Sequence, residues 1–448
     1  MNFILLGFPY IVSFLIGYFL ISLFFQKEKI SFGLHFFLAG GLGLAVSAQL
    51  TFTSFLLFNH LNKPFVVMIN LLTLDILMVW ALFVGALKNP SAWNLRNFSW
   101  INTLGIAAIL IGLIPLILEA NLYPLGGWDA WSLWNLKSKF LFLGGESWKN
   151  IFDPLLWRSS PHYPLLLPLI NTWGWSLSDT PGFQIPYLTA FSFTFLAAGL
   201  LGSSLQDLTK KSILLFVCAP LLMLSSLFFI KLATSQYADI VFAYYLLAGL
   251  VCLIKAKLDG SKEFQVLSGI FVGILSFTKA EGLIAALILI LLTLPVLKEK
   301  GSRTGFLIGL AFFLWPSIVF NLFYAPANQT FINGLLSADH PSNLLRLKMI
   351  AIFLAVELVS SKWHGLWILL TVGLLISKGK CFKGAIKIIP LFLAIYALTV
   401  GAYYFTNTYF EITWWLQVSL NRILFAILPT AVFWVLYSMI GETRLKDG

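Results

Sequence analysis

The chain has few charged residues, histidines and cysteines, and these scarcities exclude several classes of protein. Only 10% of its 448 residues are Asp, Glu, Lys or Arg, whereas 59% are hydrophobic. A soluble globular domain carries about 25% charged residues, so the composition excludes one. The five histidines and three cysteines show no metal-binding or disulfide spacing. Because Walker, GxGxxG and GxSxG motifs are also missing, a nucleotide-driven pump or a serine hydrolase lacks support.

Long apolar runs recur along the whole chain. A helix of about 20 residues crosses the hydrocarbon core of a bilayer, and the runs have about this length. The sequence therefore predicts an all-α polytopic membrane protein with about 13 transmembrane helices and further interfacial helices on the extracytoplasmic side. The expected spans are residues 3–25, 34–58, 64–87, 100–118, 183–204, 212–230, 236–254, 264–277, 281–297, 304–324, 363–377, 385–405 and 422–440.

One apolar stretch, residues 164–178, is short and contains two prolines and a glycine. We expect it to be re-entrant or interfacial, because so short a helix does not reach across a bilayer. The chain then forms one integrated membrane domain with three parts. Residues 1–118 are a four-span N-terminal segment, residues 119–182 are an extracytoplasmic loop that carries the active site, and residues 183–448 are a C-terminal bundle.

The Lys and Arg residues lie in short clusters between the apolar runs. Cytoplasmic loops are enriched in these residues, and an external N-terminus places most of the 29 in such loops. A crossing at 164–178 would move every later cluster outside, so the same rule supports the re-entrant prediction. The net charge of +11 is thus explained by orientation among membrane lipids, and nucleic acid is not an expected partner.

The longest polar interruption, residues 126–167, begins with an acid between two tryptophans. If residues 128–142 form an interfacial helix, helical spacing places four side chains on one face: Trp128, Trp131, Asn135 and Lys139. Asp129 lies beside this face. It could act as a general base, or it could be a helix N-terminal charge within an ordinary interfacial belt.

Four cations lie on the side of the membrane that normally has few of them: Lys137, Lys139, Lys149 and Arg158. An anionic substrate in the outer leaflet, such as a lipid phosphate, would explain their position. The alternative is snorkelling of long side chains toward lipid headgroups. We take Lys139 and Arg158 as the preferred phosphate pair.

Further ionisable residues are expected at the same membrane face. Asp239 begins one span, Lys279 and Glu281 lie at a tight turn between two others, and Arg422 begins the last. Because an acid at this depth is costly without a partner, the first three either pair with one another or line a substrate pocket. Arg422 either contacts phosphate or snorkels.

Two other polar residues have open roles. His162 is expected on the active side, where it could bind substrate or carry protons, or could be a hydrogen-bonded structural residue. Asp75 lies inside the predicted span 64–87. It is either hydrogen-bonded between helices or part of a polar path.

Five short motifs follow one another in the polar parts of the chain: W-D-A-W-x-x-W-N-x-K at 128–137, H-Y-P-L-L-L-P-L at 162–169, Y-A-D at 237–239, T-K-A-E-G at 278–282 and N-R-I-L-F-A-I-L-P at 421–429. Their order and expected membrane side resemble the GT-C superfamily of membrane glycosyltransferases. The chain is similar in particular to the bacterial group that includes protein mannosyltransferases and aminoarabinose transferases. The resemblance extends over about residues 120 to 440.

This resemblance implies a hexosyl-type transferase of the bacterial inner membrane, with its active site on the extracytoplasmic face. The donor would be a sugar carried on a polyprenyl phosphate, and the acceptor a glycolipid, a glycan or a protein. Asp129 would deprotonate the acceptor hydroxyl, with inversion at the anomeric carbon. The lipid phosphate would leave, and its charge would be stabilised by cations of this set: Lys139, Arg158, Lys279 or Arg422.

The resemblance also implies roles for the other motif residues. The rings of Trp128, Trp131 and Tyr163 would stack on sugar or prenyl. Asp239, which follows Tyr237 in its motif, and Glu281 match acidic positions of the family and would position the acceptor or a divalent cation. The family often has two adjacent acids where this chain has Asp129 followed by Ala130, and this lone acid weakens the case for a divalent cation, which stays an alternative.

Membrane spans alone also permit a transporter, a flippase for lipid-linked glycans, or a glycan ligase. A transporter is expected to show inverted repeats and charges near the middle of the membrane. No repeat is evident, and the charges gather toward one face. A ligase is expected to carry its main functional loop late in the chain.

Overall fold

The computed structural model describes residues 3–26, 30–87, 100–178, 180–211, 213–297, 300–328, 332–333 and 343–441. These residues form α-helices joined by short turns, and no β-strand occurs among them. The α-helices, in chain order, are α1 Phe3–Phe24, α2 Phe32–Phe58, α3 Lys63–Phe83, α4 Trp100–Leu122, α5 Asn135–Leu143, α6 Leu166–Trp175, α7 Gln184–Thr209, α8 Ile213–Met223, α9 Leu227–Thr234, α10 Ala238–Asp259, α11 Lys262–Leu275, α12 Ala280–Val296, α13 Lys300–Phe323, α14 Asn343–Val359, α15 Leu366–Ile376, α16 Ile388–Thr406 and α17 Ile412–Ile440.

Eight of the described helices are long and apolar enough to cross a bilayer: α1, α2, α3, α7, α10, α13, α16 and α17. They have 19 to 29 residues in these spans, which matches the thickness of the hydrocarbon core. The prediction of a polytopic, all-helical membrane protein is confirmed. Several further predicted spans coincide with apolar helices whose described residues are too few for a candidate crossing, including α12 and α15.

The predicted span 212–230 is a bent pair of helices, α8 and α9, whose axes differ by 85°. Pro220 lies inside α8, and α9 starts anew at Ser226, whose hydroxyl accepts the Phe229 N–H at 2.9 Å. The second helix therefore has its own N-cap, which explains why the chain does not continue straight. If the pair counts as one crossing, the described part of the chain has nine candidate spans.

The core is centred on α10, whose apolar 18-residue stretch is completely buried. It contacts α7, α11 and α17, while α1 and α2 pack against each other at one side. That pair is very close, because a Cβ at Gly43 would lie 1.6 Å from the Ser13 carbonyl oxygen. Only glycine permits such an approach. The least buried of the eight candidate spans is α3, which lies at the edge of the bundle with 22% of its apolar stretch buried.

The helix predicted as re-entrant is α6. It has ten residues, all buried, and packs against α1, α2, α5 and α7. At 1.5 Å per residue it is about 15 Å long, half of what a crossing requires. The length therefore supports the non-crossing interpretation of residues 164–178.

Residues 325–362 lie between two predicted spans, and 343–359 of them form helix α14. Its sequence is apolar with two cations near its start, a pattern that the analysis of hydropathy missed. Residues 329–331 and 334–342 of this predicted loop lie outside the described residues. The tight turn predicted near 278–280 is present between α11 and α12.

Candidate functional site

A cluster of five charged side chains lies where four distant parts of the chain meet. Its centre is Arg422 of α17, which bridges two carboxylates. The guanidinium Nη1 lies 2.6 Å from Asp129 Oδ2, while Nε and Nη2 lie 3.0 and 2.9 Å from Asp239 Oδ2. Bidentate, charge-assisted contacts of this kind are short and directional, so they fix the first long loop against the start of α10.

The second cation of the cluster is Lys279, at the turn between α11 and α12. Its ammonium donates to Asp239 Oδ1 at 2.7 Å and lies 3.4 Å from Glu281 Oε1. Asp239 is almost completely buried, and both of its oxygens are occupied by cations. A buried carboxylate is expected to be compensated in this way, so the pairing of Asp239 with two cations accounts for its depth.

The loop that carries Asp129 approaches the start of α10 through two glycines. The Gly127 N–H donates to the Ser235 carbonyl at 3.0 Å, and a Cβ on Gly127 would lie 2.2 Å from the Tyr237 hydroxyl oxygen. Gly126 adopts a φ of +71°, which favours glycine. The sequence Gly126-Gly127 is therefore required for Asp129 to reach Arg422.

Tyr237 contacts both Asp129 and Arg422. Its hydroxyl oxygen is 3.4 Å from the Asp129 N–H, and the Arg422 guanidinium carbon lies 4.5 Å from its ring centroid. Burial, and then the negative charge of Asp129, raises the pKa of the Tyr237 phenol. Tyr237 thus stays neutral at physiological pH and supports both groups by stacking and hydrogen bonding.

Tyr163 faces the same cluster from the loop before α6. The negative charge of Glu281, followed by burial, raises the pKa of its phenol well above the usual value. Among the described residues, the buried Oε2 of Glu281 has no hydrogen-bond partner. The cluster therefore has a neutral phenol and an unsatisfied carboxylate oxygen near Glu281.

The cluster retains hydrogen-bonding capacity. The Arg422 guanidinium has five N–H groups, of which three are engaged, so two remain for an incoming anionic oxygen. Three carboxylates meet two cations, so the cluster carries one excess negative charge. Among the described residues, no group of three or more His, Cys, Asp or Glu side chains is arranged to hold a metal ion.

Trp128, Trp131, Asn135 and Lys139 do not form the single face that was predicted. A π-helical turn at Ala130–Trp134 precedes α5 and shifts the helical register. The two tryptophans are exposed and contact each other edge to face, with centroids 4.3 Å apart. Lys139 is exposed, whereas Asn135 is buried. Asn135 is therefore a structural residue and does not extend the aromatic surface.

Lys137 was predicted as an anion-binding cation, and the structure gives it another role. Its side chain is fully buried, and its ammonium donates to the carbonyls of Ser160 and Tyr163, both at 2.8 Å. Burial lowers the Lys137 pKa well below its usual value. The contacts anchor the loop that presents Tyr163, so Lys137 supports the cluster without facing a ligand.

His162 lies next to this anchor. Burial, followed by the positive charge of Lys137, lowers the His162 pKa to about 4. The imidazole is therefore neutral at physiological pH.

The preferred phosphate pair, Lys139 and Arg158, is not part of the cluster. Both side chains are exposed, and Arg158 lies over the ring of its neighbour Trp157 at 5.3 Å. Lys149 is also exposed and lies 5.7 Å from the ring of Tyr324. The cation that meets Asp129 is instead Arg422, and Lys279 meets Asp239 and Glu281.

One residue of the site that the sequence analysis missed is Gln236. It has a left-handed φ of +60°, accepts from Asn135 Nδ2 at 2.8 Å and donates to the Pro124 carbonyl at 2.9 Å. It thus ties the Asp129 loop to the start of α10. The available signal was its place in the polar run before Tyr237 and Asp239, at the edge of an apolar span.

Comparison of the chain with protein-family models, curated proteins and solved structures gives no match.

Proposed function

We propose that the protein is an inverting membrane glycosyltransferase of the GT-C type, which moves a sugar from a polyprenyl phosphate to an acceptor on the extracytoplasmic face of a bacterial inner membrane. The observation that carries the proposal is the Arg422 bridge between Asp129 and Asp239. It joins three of the five motifs on which the family resemblance rests. In this proposal, shorter helices such as α12 and α15 also belong to the membrane bundle.

Asp129 is the general base of the proposed reaction. Its Oδ2 is held by Arg422, while no hydrogen bond to Oδ1 is found among the described residues. Oδ1 can therefore accept the proton of an acceptor hydroxyl as that oxygen attacks the anomeric carbon. About 27% of the side chain is accessible, which leaves room for the approach.

Arg422 and Lys279 receive the leaving phosphate. The two unused N–H groups of Arg422 and the remaining ammonium proton of Lys279 suit phosphate oxygens. Phosphate also competes with Asp129 for the guanidinium, so donor binding weakens the contact of Asp129 with Arg422. The base would become freer when the donor is bound, which couples the two steps.

The exposed pair Trp128 and Trp131 provides an aromatic surface next to Asp129. Stacked or edge-on indole rings suit a sugar ring or a prenyl chain. In the proposal this surface contacts the part of the substrates that lies outside the charged cluster. The acceptor can be a glycolipid, a glycan or a protein.

The test is single-turnover sugar transfer in liposomes from a synthetic polyprenyl-phosphate hexose, with water or a soluble alcohol as acceptor. Asp129→Asn preserves the shape of the base and should reduce the rate by about 10² to 10⁴-fold, because general-base catalysis contributes that much. Asp153→Asn is the matched control, since Asp153 is an exposed acid of the same loop that only caps a 3₁₀ turn. Its rate should stay at the wild-type value.

Wild-type turnover by a folded Asp129→Asn protein would remove Asp129 from the mechanism. If no polyprenyl-phosphate sugar is cleaved but labelled lipid moves between leaflets in the same liposomes, the protein is a flippase and the proposal is wrong. Repeating the assay with a chelator, and then with added Mg²⁺ or Mn²⁺, decides whether a divalent cation takes part.

A further inference from the structure

The face of α3 that points away from the bundle carries an acid in the middle of a candidate membrane span. This helix is the least buried of the eight candidate spans. Its exposed residues include a continuous stripe at helical spacing: Met68, Leu72, Asp75, Val79 and Phe83. Asp75 lies 12 positions after Lys63, about 18 Å along the helix axis. It is therefore near the centre of the hydrocarbon layer.

Two adjoining grooves meet at Asp75. One, of about 760 Å³, runs between α3 and the segment after α6, and the other, of about 450 Å³, continues along α3 toward Phe83. Among the described residues, Asp75 has no hydrogen bond and no ion pair. Lys63 at the far end of the first groove is already engaged, since its ammonium donates to the Ser178 carbonyl and lies 4.1 Å from the Phe142 ring.

A carboxylate in this position needs a partner. An acidic side chain at the centre of a transmembrane helix is costly when it faces lipid. A zwitterionic lipid headgroup cannot supply the partner, because headgroups lie at the membrane surface, about as far from Asp75 as Lys63, which is about 18 Å away along the helix. A second copy that pairs α3 with α3 would bring two like charges together, which is unfavourable.

We propose that the stripe of α3 is the docking surface for a transmembrane helix of a partner protein that carries a Lys or Arg near its middle. The aliphatic and aromatic residues of the stripe supply the packing, and the grooves give room for the second helix. Asp75 supplies the charge that selects a basic partner helix. The inference does not depend on the proposed catalytic activity.

The test uses the full protein in liposomes, labelled with a fluorescent donor, and designed Leu/Ala transmembrane helices labelled with an acceptor. One helix has a single central Lys, and its matched partner has Leu there. Energy transfer should show that the Lys helix binds about 5 to 30-fold tighter, as an interhelical polar contact of about 1–2 kcal/mol predicts. Asp75→Leu should abolish this preference, whereas Thr73→Val, which alters a half-buried neighbour bonded within the helix, should leave it unchanged.

Equal binding of the two designed helices to wild-type protein would overturn the proposal. So would an unchanged preference in Asp75→Leu. Energy transfer between two wild-type copies of the protein, lost in Asp75→Leu, would identify a second copy as the occupant. That result would also contradict the proposal. The melting temperature of Asp75→Leu in detergent should be no lower than that of wild type, because Asp75 has no described partner to lose.

Discussion

The two ends of α10 carry similar ionic clusters that differ in how completely they are satisfied. Near the end of the helix, Lys255 lies 2.5 Å from Asp207 and 2.7 Å from Asp259, and Asp207 also lies 3.7 Å from Lys210. Two acids there meet two cations. Lys255 and Asp207 are each less than 10% accessible, whereas Asp259 and Lys210 at the margin are 33% and 69% accessible. This cluster has no excess charge and joins α7 to α10 as a structural link.

At the start of the same helix, about 24 Å away, three acids meet two cations. Asp239 and Lys279 are as buried as Lys255 and Asp207, but among the described residues one Glu281 oxygen has no hydrogen-bond partner. A structural cluster is expected to satisfy its members fully. The difference supports the proposal that the cluster around Arg422 accepts a further group, whereas the cluster around Lys255, with as many cations as acids, is closed.

The sharpest test of this difference compares Asp239→Asn with Asp207→Asn. Asp239→Asn leaves Arg422 with Asp129 and Lys279 with Glu281, and Asp207→Asn leaves the buried Lys255 with Asp259. Both changes should therefore destabilise the protein by about 1–3 kcal/mol. Only Asp239→Asn should also lower sugar transfer, by about 10²-fold or more, because it releases Arg422 and Lys279 from their positions. Melting in detergent and turnover in liposomes measure the two effects. Equal losses of turnover in both variants would remove the distinction between the two ends.

A smaller effect is expected from exchanging the cations. Arg422→Lys keeps the charge but cannot bridge two carboxylates, since an ammonium lacks the planar fork of a guanidinium. The transfer rate should fall about 10 to 100-fold. Lys255→Arg is the control at the closed end and should keep the wild-type rate. An Arg422→Lys protein with normal turnover would show that charge alone suffices.

Glu281→Gln should increase the affinity for the donor, whereas the variants above lower the transfer rate. Removing one of the three acids makes the cluster neutral, so the binding of a phosphate meets less repulsion. The KM for the polyprenyl-phosphate sugar should decrease about threefold, as expected for a partly solvated charge. Initial rates over a range of donor concentrations separate this effect from any change in kcat. An increased KM would indicate that Glu281 binds the donor directly.

The smallest predicted effect concerns acid stability. His162 has a folded-state pKa of about 4, below its ordinary value of 6.5. Between these pH values the unfolded chain takes up a proton that the folded protein does not, so folded stability falls as pH decreases from about 6.5 to about 4. His162→Gln should reduce this fall by a few degrees of melting temperature. An identical pH profile for variant and wild type would show that the His162 environment is more solvated.

Much of the architecture followed from hydropathy, because a bilayer permits few alternatives to long apolar helices. Where prediction failed, a local feature interrupted a simple pattern. The break between α8 and α9 depends on Ser226 starting a new helix, and the register of the Asp129 loop depends on a π-helical turn. Neither feature changes composition, so hydropathy and helical spacing did not detect them.

The site was predictable in part. An acid and a cation at a membrane face need partners, so Asp239, Lys279 and Glu281 could be grouped from their expected depth alone. The pairing of Arg422 with Asp129 could not be derived, because 293 positions separate them and only the packing of α10 and α17 brings them together. The exposed Lys139 and Arg158 lie in the same polar interruption as Asp129, but nearness in sequence does not report nearness in space.

The sharing of Asp239 by two cations also bears on the order in which the protein is made. Asp239 leaves the ribosome first, Lys279 follows 40 residues later, and Arg422 arrives 183 residues after Asp239. From Ile423 to Gly441 no charged residue follows. During synthesis, Asp239 and Lys279 can pair early, but Asp129 must wait for the last helix. A chain that stops before α17 is therefore left with an acidic, unfinished centre, so insertion of the final helix is the step that completes it.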